Sequence, residues 1–86
     1  MKARILLHGA LREADPAGRI ELDVPAGCSI GELRERLVAH VREHAPGVGE
    51  DLLRRSAFGT RETILHDHEP VPEDGELAVL PPVGGG

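Results

Sequence analysis

Sustained helical periodicity occurs in one stretch of this chain, and that stretch is closely bounded at both ends. Ile30, Leu33, Leu37, Val38 and Val41 recur at the three- and four-residue spacing that gathers side chains onto one face of an α-helix. Ahead of them, Ser29 and Glu32 have the Ser-x-x-Glu spacing of a capping box, whose side chains satisfy amides that a first helical turn leaves unpaired. Behind them, His44 stands where the helix dipole favours positive charge, and Pro46-Gly47 stops the run. A helix of about four turns starting at Ile30 is expected. Its apolar stripe must be buried, and with no comparable second helix in the chain the cover has to be a sheet.

The flanking segments supply one. Lys2 to His8 reads as a strand with Ala3, Ile5 and Leu7 on one face and Arg4, Leu6 and His8 on the other. Ala14-Asp15-Pro16-Ala17-Gly18 carries turn chemistry, and Arg19 to Val24 then alternates strictly, with Ile20, Leu22 and Val24 on one side, so a hairpin is expected. Gly47-Val48-Gly49 ahead of Glu50 is a partial phosphate-loop match that reads better as a turn between helices. Glu50 to Arg55 fits a short helix, and Ser56 to Val71 has room for one or two short strands. Asp74-Gly75 is a turn leading into the apolar strand Glu76 to Leu80.

This ββα…ββ order describes an α+β roll. The expectation is a β-grasp, or ubiquitin-like, fold: a mixed four- to five-stranded sheet with one main helix packed on one face. A ferredoxin-like arrangement needs a second substantial helix late in the chain, and the Gly- and Pro-punctuated region after Arg55 leaves no room for it. The chain divides into a domain over 1–80 and a flexible tail, Pro-Pro-Val-Gly-Gly-Gly, over 81–86.

Composition narrows the function classes. At 86 residues the chain holds one domain. Its net charge of −5 and dispersed basic residues, with one Phe and no Trp or Tyr, disfavour nucleic acid, which needs basic clusters and stacking aromatics. One cysteine excludes a disulfide framework and Cys-rich metal sites. Arg4, His8 and Arg12 interrupt the one apolar run near the start, so neither a signal peptide nor a membrane span is expected, and the cytoplasm is the expected compartment.

The chemistry is concentrated at the end. Pro81 and Pro82 stiffen the exit from the last strand, and Gly84, Gly85 and Gly86 remove side-chain width. Six residues at about 3.3 Å each reach roughly 20 Å, enough to carry the carboxylate of Gly86 down a narrow channel in another protein. A carboxylate is a poor electrophile, so reaction there needs activation, most simply by ATP to an acyl-adenylate. With no phosphate loop of its own, the chain is expected to bind no cofactor, ATP being used by a separate activating enzyme.

The segments Arg4-Ile5-Leu6-Leu7-His8-Gly9-Ala10-Leu11-Arg12-Glu13 and Asp74-Gly75-Glu76-Leu77-Ala78-Val79-Leu80-Pro81-Pro82-Val83-Gly84-Gly85-Gly86 resemble the MoaD/ThiS family of sulfur carriers, most closely the molybdopterin synthase small subunits. The resemblance implies that an E1-like adenylyltransferase of the MoeB/ThiF type adenylates Gly86, that a sulfur donor converts it to a thiocarboxylate, and that the tail then enters a partner. That partner is a sulfurtransferase or the molybdopterin synthase large subunit, which does the catalysis, the carrier itself being noncatalytic. In the molybdopterin branch the acceptor is cyclic pyranopterin monophosphate. The resemblance also implies partner-binding roles for Gly85, Gly84, Val83, Pro82, Pro81, Leu80, His8 and Arg12. Carriers for thiamine thiazole, cysteine or sulfur-containing natural products share fold and tail, and a ubiquitin-like modifier would use the same activated glycine.

Strand parity agrees with part of this, since Leu6, His8, Ala78 and Leu80 fall opposite the helix-facing set and would leave an apolar patch exposed. Other residues invite chemistry without supporting it. Cys28 precedes the helix cap, with no His or Lys nearby in sequence to lower its pKa, and reads as a partly buried thiol. His66-Asp67-His68, and His40 with His44, have ligand-like spacing but no third ligand, and read as solvated side chains. Arg36 and Glu43, and the pair Arg54 and Arg55, read as solvated helix faces.

Overall fold

The computed structural model describes residues 1–82. Two strands, β1 (Lys2–Leu7) and β2 (Arg19–Asp23), precede the main helix α1 (Ile30–His44). A short helix α2 (Glu50–Arg55) and the strands β3 (Ala57–Gly59), β4 (Ile64–Leu65) and β5 (Glu76–Leu80) follow. The five strands form one sheet in the order β2-β1-β5-β3-β4. β1 and β5 run parallel at its centre, and the remaining neighbours are antiparallel. With α1 on one face, this is the β-grasp arrangement the element order implied.

The helix forms where its periodicity and caps require. Ile30, Leu33, Leu37, Val38 and Val41 are all buried, packing with Ala3, Ile5, Leu7, Ile20, Phe58, Leu77 and Val79 from the sheet. The Ser29 hydroxyl accepts the amide of Glu32 at 3.1 Å. The box is half formed, because the Glu32 carboxylate accepts from that hydroxyl at 3.3 Å. The two amides nearest the helix start find main-chain partners instead, Ile30 N–H donating to the Glu69 carbonyl at 2.8 Å and Gly31 N–H to that of Asp67 at 2.9 Å. Every early amide of the helix is thereby paired, and the segment 66–71 is tied to the helix start.

The β1–β2 connection differs from a plain hairpin. Gly9–Ala14 winds into a 3₁₀ helix, and Leu11 within it is fully buried. One apolar residue per short turn is too little periodicity to announce a helix, yet its burial anchors the segment to the core. The expected turn follows, with Ala17 N–H bonded to the Asp15 carboxylate at 2.8 Å and Gly18 N–H to its carbonyl at 2.9 Å.

Gly75 sets the register of the central pair. Its φ of +73° lies in the left-handed region, and a Cβ there would collide with the carbonyl oxygen of Lys2. The Gly75 carbonyl can then accept the Arg4 amide at 2.6 Å, and β5 enters beside β1.

Candidate functional site: the open sheet face and the tail exit

Register carries one residue from each strand into a row across the face that α1 does not cover. Leu6 lies between Arg19 of β2 and Ala78 of β5, Ala78 is opposite Gly59 of β3, and Gly59 is opposite Ile64 of β4. Leu6 is 53% exposed and Ile64 48%. Gly59 makes the row continuous, because a Cβ there would stand 3.3 Å from Cδ1 of Ile64, whose side chain lies over the bare backbone. A second row, Leu80 opposite Ala57, adjoins it towards the end of β5. An apolar strip with two large aliphatic side chains half in water has the character of a docking surface.

Charged pairs border the strip. Arg4 stands 3.9 Å from Glu76 and donates to the Asp74 carbonyl at 3.1 Å, while Lys2 stands 3.9 Å from Asp23. These are exposed pairs of little energetic weight, whose use at a docking face is orientation.

The tail leaves from the edge of this surface. Leu80 and Pro81 are half-buried and Pro82 is exposed. The Pro81 ring lies on Gly9, whose φ is +57°; a Cβ on Gly9 would stand 2.9 Å from Pro81 Cγ. His8 is exposed at the end of β1, on the side of Leu6 by strand alternation. Arg12 is exposed too, but its guanidinium runs along the Gly18 turn, 3.7–3.8 Å from where a Gly18 Cβ would be. Val83, Gly84, Gly85 and Gly86 lie outside the described residues.

Of the residues that sequence reasoning set aside, Cys28 is buried at 3% exposure, and its pKa is raised, first by that burial, then by the charge of Glu32, with Arg36 opposing. An unreactive thiol follows. The His40 and His44 rings stack at 4.3 Å on α1, and those of His66 and His68 face each other at 6.1 Å, with Asp67 paired to Arg34. Among the described residues no three of His, Cys, Asp and Glu converge as metal ligands, and no helix is long and apolar enough to cross a membrane. Gly47–Gly49 joins α1 to α2, with Val48 N–H closing a turn onto the Ala45 carbonyl at 3.0 Å.

Sequence reasoning missed Gly59 and Ile64, since both lie in the stretch it could not resolve. It also missed Arg34. One of its terminal nitrogens donates to the Leu53, Arg54 and Ser56 carbonyls at 3.0, 3.3 and 2.6 Å, and the other to Asp67 at 3.0 Å. Its guanidinium carbon sits 4.9 Å above the Phe58 ring.

A family model described as the ThiS family matches residues 5–86. The chain belongs to the ThiS family. Its members are ubiquitin-like small sulfur carriers, generally noncatalytic and generally working with E1-like activating enzymes. Among solved structures it is similar to SAMP1 from Haloferax volcanii, with a TM-score of 0.70 over 100% of both chains at 23% identity, a likeness of fold. No curated protein matches the sequence.

Proposed function

We propose that this protein is a sulfur carrier for molybdopterin synthesis. An E1-like enzyme binds ATP and joins the Gly86 carboxylate to AMP, releasing pyrophosphate. A sulfur donor then displaces AMP and leaves a thiocarboxylate on Gly86. The tail enters the synthase large subunit, where sulfur passes to cyclic pyranopterin monophosphate and water supplies the oxygen that restores the Gly86 carboxylate. The work proceeds in the cytoplasm, and the carrier holds no cofactor of its own.

The observation that carries this reading is the family match itself, which runs through the Pro81 to Gly86 segment to the last residue. The apolar row at Leu6, Ala78, Gly59 and Ile64 supports it physically, because a carrier that does no chemistry needs a surface by which partners hold it while the tail reacts. Pro81, Pro82, Leu80, His8 and Arg12 are the described residues assigned to partner contact, and Val83, Gly84 and Gly85 to the channel. The likeness of both chain ends to molybdopterin synthase small subunits favours that branch.

The test is intact mass and C-terminal fragment sequencing of untagged protein, incubated with its E1-like enzyme, ATP and a sulfur donor. Replacement of one oxygen by sulfur, mapped to Gly86, is expected, followed by transfer to cyclic pyranopterin monophosphate with the large subunit. An isopeptide to a lysine in place of the sulfur adduct would make the protein a modifier. Sulfur loading with transfer only to a thiazole or cysteine precursor would move it to another pathway.

A further inference from the structure

We propose that Gly9 is a positioning residue for the reaction at the tail: its bare backbone is the seat of Pro81, and that seat fixes the direction in which the chain leaves the sheet at Pro82. The inference rests on the sulfur-carrier reading above.

The seat is rigid from below. Gly9 lies between Leu7, buried in β1, and Leu11, fully buried in the 3₁₀ turn, and the turn is closed by Leu11 N–H on the His8 carbonyl at 3.1 Å. Gly9 is therefore held at two residues' distance on either side by core anchors, in a left-handed conformation with φ +57°. The chain above is equally constrained. Leu80 is paired to Ala57 of β3, each proline ring fixes its own φ, and a following proline confines Leu80 and Pro81 to extended ψ. What remains is where the Pro81 ring comes to rest, and it rests on Gly9.

Four residues separate this point from Gly86, so a displacement at Pro81 moves the position from which that segment starts. A Cβ at 2.9 Å from Pro81 Cγ has to move to an ordinary carbon–carbon separation of about 3.5–4.0 Å, a shift of roughly 0.6–1 Å. The contact is with the pucker atom of a closed ring, so a change of pucker takes up part of that shift and movement of the ring and its backbone takes up the rest. A misplacement near 1 Å costs up to about 100-fold when it falls on a reacting group, and a partner channel that recentres the tail recovers part of that, so a loss of about tenfold in turnover is expected.

Gly27 supplies the control. Its φ is +82°, and a Cβ there meets nothing within 4 Å, so Gly27→Ala carries left-handed strain without a collision. The experiment compares wild type, Gly9→Ala and Gly27→Ala by melting temperature, by steady-state adenylation with the E1-like enzyme and ATP, and by the NOE between the Gly9 Hα protons and the Pro81 ring in wild type. The expected result is an NOE in wild type, similar melting temperatures for the two variants, and a kcat about tenfold lower for Gly9→Ala alone, with KM within about twofold because the docking strip is untouched. Equal kcat for the two variants, or no NOE in wild type, overturns the positioning role while leaving the carrier reading in place. Wild type that is never adenylated overturns the carrier reading, and the positioning role with it.

Discussion

Replacing Arg34 by Met should cost the fold about 3 kcal/mol, far more than a charged residue on a helix flank ordinarily contributes. The side chain is only 13% exposed. One terminal nitrogen has two protons for three carbonyls, so its contacts with Ser56 at 2.6 Å and Leu53 at 3.0 Å are full bonds and that with Arg54 at 3.3 Å is a shared one. Hydrogen bonds to a charged group contribute about 1.5 kcal/mol or more each, giving about 3 kcal/mol for the two. The Asp67 pair adds less than about 1 kcal/mol because that carboxylate is largely in water. The Phe58 contact adds about 0.5–1 kcal/mol, and desolvation of the guanidinium offsets part of the total. Met keeps the aliphatic stem and loses only the donors. Each kcal/mol lowers the melting temperature of a domain this size by about 4–8 °C, so a fall of about 15 °C is expected. Urea unfolding should show the same loss as a lower midpoint at unchanged slope. Arg34→Lys should recover less than half of it, lacking the planar fork. An unfolding free energy for Arg34→Met within about 0.5 kcal/mol of wild type would refute the whole account of this residue as the tie between α1, α2 and β3.

Leu6→Glu with Ile64→Glu should weaken binding to the E1-like enzyme by about 100-fold in calorimetric titration, with each apolar side chain worth about 1.5 kcal/mol or more at an interface and the melting temperature little changed. Unchanged affinity would remove the open face from the docking reading. Arg54 holds the Glu35 carboxylate below its usual range through bonds of 2.7 and 3.2 Å. A depressed carboxylate stabilises the fold above its unfolded pKa of about 4.3 and loses that contribution as pH falls through the lower folded value. The stability gap between wild type and Arg54→Gln should therefore be flat at neutral pH and close in acid; a gap that widens in acid contradicts the pairing. Cys28, raised mainly by burial, has the opposite sign: its contribution is intact below the unfolded thiol pKa of about 8.5 and is lost as pH rises through the folded value. Native protein should react with iodoacetamide at least about tenfold more slowly than urea-unfolded protein at pH 8, and comparable rates would mean an accessible thiol.

Local signals were legible in the sequence because the physics behind them is local. The α1 stripe, its Ser29 cap, the Asp15 turn and the Asp74-Gly75 turn each depend on residues within a few positions of one another. The alternation of β1, β2 and β5 also identified Leu6, Ala78 and Leu80 as facing away from the helix. The rest lies in long-range pairing. Ile64 sits in a two-residue strand, too short for alternation to register, and it becomes part of the strip only through its pairing with Gly59. Arg34 has the spacing of a solvated helix position; it is largely covered because α2 and the following Ser56 place three carbonyls over it, nineteen to twenty-two residues along the chain.

The site follows the same division. The proposal of chemistry at Gly86 starts from the tail composition, since glycines remove side-chain width from the segment after Pro82. How the tail is aimed cannot be read there, because Gly9 and Pro81 lie 72 residues apart and meet only when β5 enters the sheet parallel to β1. That parallel entry in turn needs Gly75, where the carbonyl of Lys2 leaves no space for a side chain. Two glycines outside the tail therefore stand behind it: Gly75 by admitting the strand that carries it, and Gly9 by receiving the ring from which it departs. A substitution at Gly75 must disturb the central β1–β5 pair and the fold with it, whereas one at Gly9 leaves the core packed and reaches the chemistry through geometry alone.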